Sequence, residues 1–442
     1  DDADASAPQA SLPQVGLPDV ALPTQANVSP ATFHSALAAG EVIRLGHVSD
    51  IHINPYYTVG AWDDCGLPSC CNDWPYSDDD KNASTSAGTW GDANCDGPKI
   101  LQESFAADLS ALHKTTPLHG LVFTGDWPPH NVWNQSSEFN TGVIIAMSRL
   151  LHADLPNNFP VFPSLGNHAA FPVNYLNSFN VSYNAPGLYS PLAEAWYELG
   201  WFNETHRDQF ATSGGAYAKD VPDAPLTIIA LNSNFFVSDN LWNIAPRYST
   251  IDPGGQLGWL NETLSLTKAR GYQAFLIFHH PANSWLDNRK KVLIELLTLY
   301  QGTVLAILDG HTHSDNSHVL WQLGEEGSKP TCMQYEVGSL VELGGRNPTW
   351  RYYTLAPSDN GDEQLHVVDY VNRRASLLNW WHNSTVAPLH WDVLFSAKED
   401  LGMVREKSER QNERERDRKR QKQHTTQPMP AVFHLCRVVC AA

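Results

Sequence analysis

Apolar residues along the chain form short continuous runs that alternate with stretches of helical spacing. The continuous runs predict six buried strands, at 42–48, 120–124, 161–165, 226–231, 274–278 and 303–308. Helical spacing predicts four helices. One begins after Pro98, one covers about 141–151, one begins after Asp252, and one covers about 290–300. Shorter strands are predicted at 318–322, 331–337, 352–355 and 365–370. This order predicts an α/β protein of two packed sheets covered by helices, with a more antiparallel second half.

The two ends of the chain differ in composition from its centre. Residues 1–40 are rich in Ala, Pro, Ser and Gln without periodicity, which predicts a disordered N-terminal segment. Residues 405–422 contain nine basic and five acidic residues, which favours a solvated tail, with a basic patch for anionic lipid as the alternative. The first residues, DDADASAP, are those expected of a chain whose targeting segment has been removed.

The net charge of the chain limits the kinds of molecule that it can bind. The 442 residues include 29 Lys and Arg against 48 Asp and Glu, a formal net charge of −19, which argues against binding of duplex nucleic acid. The chain also has 19 His, whose full protonation would cancel that charge, so activity in an acidic compartment is compatible with the composition. The sequence contains no run of about 18 uncharged apolar residues, so it predicts no membrane-spanning helix.

Cysteines and glycosylation sequons both indicate an oxidising compartment. Cys65, Cys70, Cys71 and Cys95 lie in a stretch rich in Gly, Pro, Asp and Asn, which is typical of a disulfide-stapled loop. Zinc binding is the alternative, although Cys65 and Cys70 lack the C-x-x-C spacing. N-x-S/T sequons predict glycosylation at seven positions: Asn27, Asn82, Asn134, Asn180, Asn203, Asn261 and Asn383. Together these features predict a secreted or lysosomal glycoprotein.

Polar residues follow five of the predicted strands at their carboxyl ends, where open α/β sheets place their ligands. Any one of them could be a helix cap or a buried structural histidine, but five strand ends in succession point to one site. The residues are Asp50 and His52, then Asp126, then Asn167 and His168, then His279 and His280, and finally His311 and His313.

The residue types indicate metal chemistry. Side chains at i and i+2 of an extended segment face the same way, so Asp50 and His52 can reach one cation, as can His311 and His313. Carboxylate and amide oxygens mixed with imidazoles suit Zn²⁺, Mn²⁺ or Fe. The single carboxylate of Asp126 can bridge two cations about 3.5 to 4 Å apart. The sequence therefore predicts a two-metal centre.

The ordered motifs DIH, GD, GNH, His279 and GHTH resemble those of the calcineurin-like metallophosphoesterases. Three further stretches, TGDWPPH at 124–130, DPGGQL at 252–257 and the cysteine cluster with Trp90-Gly91 and Cys95-Asp96, resemble the acid sphingomyelinase branch. The resemblance covers residues 42 to 403. It implies a four-layer α/β/β/α sandwich as the catalytic domain, over residues 41–385, and a short C-terminal helical extension with a charged tail, over 386–442.

The resemblance also implies roles for single residues. One metal would be held by Asp50, His52, Asp126 and His313, and the other by Asp126, Asn167, His279 and His311. His279 is preferred to His280 because the family's ligand stands two residues before a Pro. His168 would donate a proton to the leaving group, and His130 would contact the phosphate. The implied disulfides are Cys65–Cys70, Cys71–Cys95 and Cys436–Cys440, which leaves Cys332 as the odd thiol.

The resemblance implies a phosphodiesterase with two divalent metals, zinc for preference, that hydrolyses sphingomyelin to ceramide and phosphocholine. The implied partners are a choline sphingolipid and, peripherally, a membrane surface. Residues 1–40 contain no Cys and do not match the cysteine-rich saposin domain of acid sphingomyelinase, which keeps hydrolysis of nucleotides or other small diesters and phosphoanhydrides open as an alternative. A binding glycoprotein without turnover is the third reading, and it would be expected to have lost ligands.

Overall fold

The computed structural model describes residues 41–67, 69–72, 86–244, 250–323, 329–357, 364–376 and 388–402. Within them the strands are β1 Ile43–Val48, β2 Leu121–Phe123, β3 Val161–Pro163, β4 Tyr217–Asp220, β5 Leu226–Ala230, β6 Gln273–Ile277, β7 Val304–Asp309, β8 Asn316–Trp321, β9 Pro330–Glu336, β10 Thr349–Pro357, β11 Leu365–Ala375 and β12 Trp391–Ser396. The α-helices are α1 Lys99–Thr115, α2 Ser137–Asp154, α3 Val181–Asn184, α4 Ser190–Glu198, α5 Glu204–Thr212, α6 Leu241–Ile244, α7 Gln256–Ala269 and α8 Asp287–Leu299.

The strands form two six-stranded mixed sheets. The first has the order β12-β11-β10-β1-β2-β3, in which β1, β2 and β3 are parallel and the other pairs are antiparallel. The second has the order β4-β5-β6-β7-β9-β8, in which β5, β6, β7 and β9 run parallel. The parallel strands are almost wholly apolar and buried, as strands covered on both faces must be.

Aromatic side chains join the two sheets face to face. The Tyr353 ring of β10 lies 6.0 Å from Phe275 of β6 and 5.5 Å from Tyr335 of β9, centroid to centroid. The guanidinium of the buried Arg351 lies 4.8 Å from the ring of Tyr370 and pairs with Asp315. This interior is the core of the sandwich, and it combines aromatic packing with a buried cation.

Helices cover the outer faces. Phe105 of α1 packs edge-on against Trp350 of β10 at 5.6 Å, and Gln102 of α1 donates to the carbonyl of Met147 in α2. Helices α7 and α8 contact β6 and β9 of the second sheet. The protein therefore has the predicted four-layer α/β/β/α arrangement. Among the described residues, no helix is both long and apolar enough to cross a bilayer.

The six predicted buried strands and the four predicted helices are confirmed, with ends that differ by a few residues. No pattern along the chain predicted β4 or the helical segment from α3 to α5. Pro186 and Gly187 interrupt that segment, so it reads as a loop. Trp196 of α4 fixes it by donating to Ser148 of α2 at 3.0 Å.

The prediction that residue 386 opens a helical region is wrong for 391–396. These residues form β12, an edge strand paired with β11, because Trp391 packs against Phe105 and donates to Ser104 of α1. The α/β domain therefore extends beyond the predicted boundary at 385. The predicted N-terminal disorder over 1–40, the charged tail and the pair Cys436 and Cys440 lie outside the described residues.

Candidate metal centre

The carboxyl ends of the parallel strands of both sheets meet at one edge. Asp50 and Asp126 follow β1 and β2, and the Asp50 amide donates to the carbonyl of Gly125 at 3.0 Å. His279 follows β6 of the other sheet, and its Nδ1 lies 2.9 Å from the carbonyl oxygen of Thr124. This contact across the sheets brings the five predicted strand ends into one site.

The backbone at this edge is strained. Nine described non-glycine residues have a positive φ, and five of them are predicted ligands: Asp50, His52, Asp126, His311 and His313. Such conformations cost roughly 1 to 3 kcal/mol each and persist where surrounding structure holds them, commonly at functional sites. The strain turns each side chain away from its strand axis toward the shared centre.

One group of ligand atoms surrounds Asp50. The Nε2 atoms of His313 and His52 lie 3.4 and 3.7 Å from Asp50 Oδ1, and His52 Nε2 is also 3.8 Å from Asp126 Oδ2. Atoms bound about 2.0 to 2.2 Å from a shared cation have separations of this size. These four residues are the predicted first metal site.

A second group surrounds His279. Its Nε2 lies 3.0 Å from both Asp126 Oδ2 and Asn167 Oδ1, and 3.2 Å from Nδ1 of His311. The Asp126 carboxylate therefore belongs to both groups, as the predicted bridging ligand must. Its other oxygen accepts from the amide of His168 at 2.9 Å, which fixes the orientation of the carboxylate.

Backbone carbonyls set the histidine tautomers. His52 Nδ1 lies 2.8 Å from the Pro128 carbonyl oxygen, and His279 Nδ1 makes the contact with Thr124 described above. A carbonyl only accepts, so Nδ1 carries a proton in both rings, and Nε2 is the nitrogen that faces the centre. A metal ion at the centre would bind Nε2 of the neutral ring.

The donor set fits divalent cations. Asp50 Oδ1 and His52 Nε2 are completely buried, and neither has a hydrogen-bond partner. Leaving such atoms unsatisfied costs roughly 1 to 3 kcal/mol each, more where the group is charged. Asp50 and Asp126 also lie with His279 in a buried cluster whose ligand atoms are within 4.8 Å of one another. A cation at the centre would satisfy these atoms.

At the centre, neighbouring charged groups and burial shift the pKa values of the Asp and His side chains in opposite directions. Burial disfavours ionisation, but His279 and then His313 outweigh it and hold the pKa of the Asp50 carboxyl well below its usual range. Asp126 behaves in the same way, with His279 as its strongest neighbour. For His279, burial favours the neutral ring, yet Asp126 and Asp50 raise its pKa to about 9. Both carboxylates are therefore ionised at any physiological pH.

Two histidines lie beside these groups in different environments. Burial lowers the pKa of His168 to about 3, so its ring is neutral in the absence of an added negative charge. His130 is held by Asp96, whose carboxylate accepts from His130 Nδ1 at 2.6 Å and from its amide at 2.7 Å. Burial opposes protonation of His130, but Asp96 outweighs it and raises the pKa. The rings of His130 and His168 lie 4.6 Å apart.

Asp96 is the functional residue that sequence reasoning missed. It is fully buried and makes both contacts to a residue 34 positions away. The one sequence signal for it is the Cys95-Asp96 pair, which belongs to the motifs shared with the acid sphingomyelinase branch. The contact explains why the cysteine loop belongs beside the site.

The structure separates His279 from its neighbour. His280 Nδ1 lies 3.0 Å from the Ser233 hydroxyl, and its ring centroid is 4.3 Å from that of His311. The contacts to Asp126 and Asn167 are made by His279. His280 also belongs, with His279 and His311, to a group whose ligand atoms lie within 4.8 Å of one another, and its Nε2 is buried without a hydrogen-bond partner, so the preference for His279 stays a prediction.

The cysteine prediction is confirmed for the described residues. Disulfides join Cys65 to Cys70 and Cys71 to Cys95, and Cys332 is a buried free thiol. Because these four cysteines are paired, the alternative of a zinc site among them is wrong. The described sequons include exposed asparagines at 134, 180 and 203 and a partly buried one at 261, whereas Asn27, Asn82 and Asn383 lie outside the described residues.

A cleft of about 440 Å³ opens beside the centre. His130 and His313 line the cleft together with residues that include Leu67, Asn94 and Arg346. The cleft therefore reaches two of the residues at the centre and is large enough for a small ligand.

A double-sheet sandwich with Asp, Asn and His converging at its strand ends defines the class of two-metal phosphoesterases. Residues 43–315 match the family model of the calcineurin-like phosphoesterases, and the chain belongs to this family.

Similar proteins of known activity point to one branch of this family. The chain is 30% identical over 366 residues to sphingomyelin phosphodiesterase of Homo sapiens, covering 82% of this chain and 55% of the relative. It is 27% identical to sphingomyelin phosphodiesterase B of Dictyostelium discoideum, covering 71% and 48%. Cyclic GMP-AMP phosphodiesterase SMPDL3A of Homo sapiens is 27% identical, with coverages of 71% and 67%. The chain thus spans about half the length of the sphingomyelin phosphodiesterases, and the predicted resemblance to that branch is confirmed.

Proposed function

We propose that this protein is a phosphodiesterase that hydrolyses sphingomyelin to ceramide and phosphocholine with two divalent cations. The observation that carries the proposal is the pair of ligand groups sharing Asp126, with buried Asp50 Oδ1 and His52 Nε2 left without partners. The relatives named sphingomyelin phosphodiesterase support the choice of substrate.

Asp50, His52, Asp126 and His313 would hold one cation, and Asp126, Asn167, His279 and His311 the other. We propose zinc, because imidazoles and carboxylates predominate among the ligands and because carbonyl contacts at Nδ1 turn Nε2 of His52 and His279 toward the centre. Bound there, two such cations supply Lewis acidity toward the phosphate and lower the pKa of water.

The remaining groups would act on the substrate directly. His130, kept protonated and oriented by Asp96, would donate a hydrogen bond to a phosphate oxygen. His168 would deliver a proton to the departing alkoxide of ceramide, since an anionic phosphate beside its ring favours the charged imidazole. Asp96 is a positioning residue, because it acts through His130.

Hydrolysis of nucleotide diesters is the second candidate function. It is favoured by the similarity to a relative named cyclic GMP-AMP phosphodiesterase, of which the chain covers 67%. The same ligand groups serve both substrates, so the difference lies in the loops around the cleft. A binding protein without turnover is a poorer match, because every predicted ligand is retained and brought together.

We also propose that the protein works in the secretory pathway, outside the cell or in the lysosome. The disulfides Cys65–Cys70 and Cys71–Cys95 and the exposed sequons at Asn134, Asn180 and Asn203 suit an oxidising, glycosylating route. Its net charge of −19 makes duplex nucleic acid an unsuitable partner.

The test is release of phosphocholine from sphingomyelin in detergent micelles, beside hydrolysis of cyclic GMP-AMP and ATP, at about pH 5 with zinc. We expect sphingomyelin to be the best substrate. His168→Ala should lower kcat by roughly 100-fold or more, because the leaving group loses its proton donor. His390→Ala is the matched control, since that side chain is 80% exposed and far along the chain from the site.

Turnover of nucleotides alone would establish the second candidate instead. If zinc binds in a two-to-one ratio and no diester is cleaved, the binding reading replaces both. A His168→Ala variant as active as His390→Ala would remove His168 from the mechanism.

A further inference from the structure

The turn that carries the two histidines of the GHTH motif joins strands that lie on either side of a third strand. Strand β7 ends at Asp309 and β8 begins at Asn316, and β9 lies between them in the sheet. Glu336, the last residue of β9, pairs with Asp309 on one side and with Asn316 on the other. Its position therefore adjoins both ends of the turn that contains His311 and His313.

The side chain of Glu336 also contacts that turn. Its Oε1 accepts a hydrogen bond from the hydroxyl of Thr312, and its Oε2 accepts one from the side-chain amide of Asn316 at 2.9 Å. His318 Nε2 lies 3.6 Å from the same Oε2. These three partners belong to the turn or to the strand that follows it. The carboxylate therefore reaches the middle of the turn, between a predicted ligand of each metal group.

A carboxyl group at this position needs an explanation, because β9 is buried along its whole length. Glu336 is 1% exposed, whereas Thr312 is at the surface. Burial of a carboxylate is unfavourable unless hydrogen bonds compensate it, and Glu is almost never fully buried without partners. An apolar side chain would suit the buried strand better. The contacts with the turn are what the carboxylate adds.

A restraint in the middle of the turn matters because the backbone there is strained. His311 and His313 have φ angles of 73° and 58°, which persist only where surrounding contacts hold them. The His311 amide donates to Asp50 Oδ2 at 2.8 Å, so the conformation of the turn also affects a predicted ligand from the other sheet. The Thr312 hydroxyl acts between the two histidines, where the strain lies.

The far end of the turn is held by a separate contact. The buried guanidinium of Arg351 pairs with Asp315 and donates to the backbone carbonyl of Glu336 at 3.2 Å. That second contact uses the backbone of Glu336 and does not depend on its side chain. A substitution at Glu336 can therefore release Thr312 while Arg351 still holds the end of the turn.

We propose that Glu336 is a positioning residue that sets the separation of His311 and His313 through its hydrogen bond to Thr312. Each of these histidines belongs to a different predicted metal group, so one contact governs the geometry of both. Loss of an outer contact of this kind weakens metal binding by roughly 10- to 100-fold in other metalloproteins. The inference rests on the proposed two-metal function, but zinc binding can be measured without turnover.

The experiment measures the dissociation constants of both zinc ions from the full chain by competition with a chelator. We expect Thr312→Val, which keeps the shape of the side chain and removes the donor, to raise both constants by roughly tenfold. Thr312 is exposed, so this variant should fold as the parent does. The matched control is Thr298→Val in α8, where the hydroxyl donates to the Ile294 carbonyl at 2.8 Å. It should change zinc affinity by less than about twofold.

Variants of Glu336 test the other side of the same contact. Glu336→Ala should weaken zinc binding by roughly tenfold, and Glu336→Gln, which keeps an acceptor oxygen, by less than about threefold. Adding Thr312→Val to Glu336→Ala should cause little further loss, because both changes remove one hydrogen bond. Excess zinc should restore kcat of Thr312→Val to within about twofold of the parent, since it refills the weakened sites.

Unchanged zinc affinity in Thr312→Val would overturn the inference, and this variant decides the question even where Glu336→Ala does not fold. Additive losses in the double variant, or equal losses in Glu336→Gln and Glu336→Ala, would also overturn it. A parent that binds no zinc would refute both proposals. Weaker zinc binding by these variants of a protein that cleaves no diester would refute the proposed function and leave the positioning role standing. Cleavage by a parent whose zinc affinity does not depend on Thr312 would do the reverse.

Discussion

Glycines beside the ligands let the carboxylates reach the centre. A Cβ on Gly166 would overlap Asp126 Oδ1, and one on Gly310 would overlap Ser49 and Asp50 Oδ2. Gly125 has a φ of 106°, where a Cβ would meet the backbone of Gly166. The site therefore needs glycine, which has no Cβ, at these positions as well as the predicted ligands themselves.

Replacing Gly166 by alanine should damage the site without changing any ligand. The added methyl must displace the Asp126 carboxylate, and a misplacement of about 1 Å can cost roughly 100-fold in rate. Phosphodiester hydrolysis and zinc content of the variant are the measurements. We expect both kcat and metal occupancy to fall.

Gly142→Ala is the control for that change. Gly142 lies within α2, and a Cβ there meets nothing within 4 Å. Alanine is favoured over glycine in a helix interior by roughly 1 kcal/mol, so this variant should be unchanged in rate and slightly more stable. Equal loss in the two variants would contradict the account of Gly166.

The cysteine loop before α1 is the element that supports His130 from outside the sheets. Its described residues contribute no strand to the two sheets, but Cys70, Cys71 and Cys95 are buried together in a small apolar cluster. Asp96 follows Cys95 directly and makes both contacts to His130. The Cys71–Cys95 disulfide therefore anchors the carboxylate as well as the loop.

Removing that disulfide should destabilise the protein measurably. It closes 24 residues, and the loss of this restraint on the unfolded chain corresponds to roughly 3 kcal/mol. We expect Cys71→Ser with Cys95→Ser to lower the free energy of unfolding by about that amount in denaturant titrations. The Cys65–Cys70 disulfide closes only five residues, so Cys65→Ser with Cys70→Ser should lower the free energy of unfolding by less. A larger loss in the second variant would contradict this ordering.

The strands differ in how well the sequence predicts them. The buried parallel strands were predicted because an uninterrupted apolar run has few other uses. The resemblance to the family predicted a helical region over 386–442, whereas residues 391–396 form strand β12, which pairs with β11. Only the contacts of Trp391 with α1 make this stretch an edge strand.

The buried histidines tie the stability of the whole molecule to pH. His47 lies between the sheets, with its ring nitrogens 3.1 Å from the Tyr353 hydroxyl and 3.0 Å from the Thr124 hydroxyl. Burial, and next the nearby Arg351, hold its pKa well below the ordinary value. The folded protein therefore keeps His47 neutral in acid, while the unfolded chain takes up a proton near pH 6.5.

The sign of the pH effect follows from proton uptake. Below about pH 6.5 the unfolded state binds the extra proton, so the free energy of unfolding falls by up to about 1.4 kcal/mol per pH unit for this group. We expect His47→Gln to show a shallower decline than the parent protein in denaturant titrations between about pH 7 and pH 5. The exposed His390→Gln serves as control, and identical slopes for His47→Gln and the parent would refute the account.

The sequence by itself determined the identity and order of the predicted ligands, because they follow buried strands that local apolar runs mark. Tertiary structure decided what depends on distant partners. It placed His279 in contact with Asn167 and Asp126, which are far away in the chain. It also placed Asp96 against His130 across 34 residues. Such pairings arise only when the sheets and the cysteine loop close on one another, so no local pattern reports them.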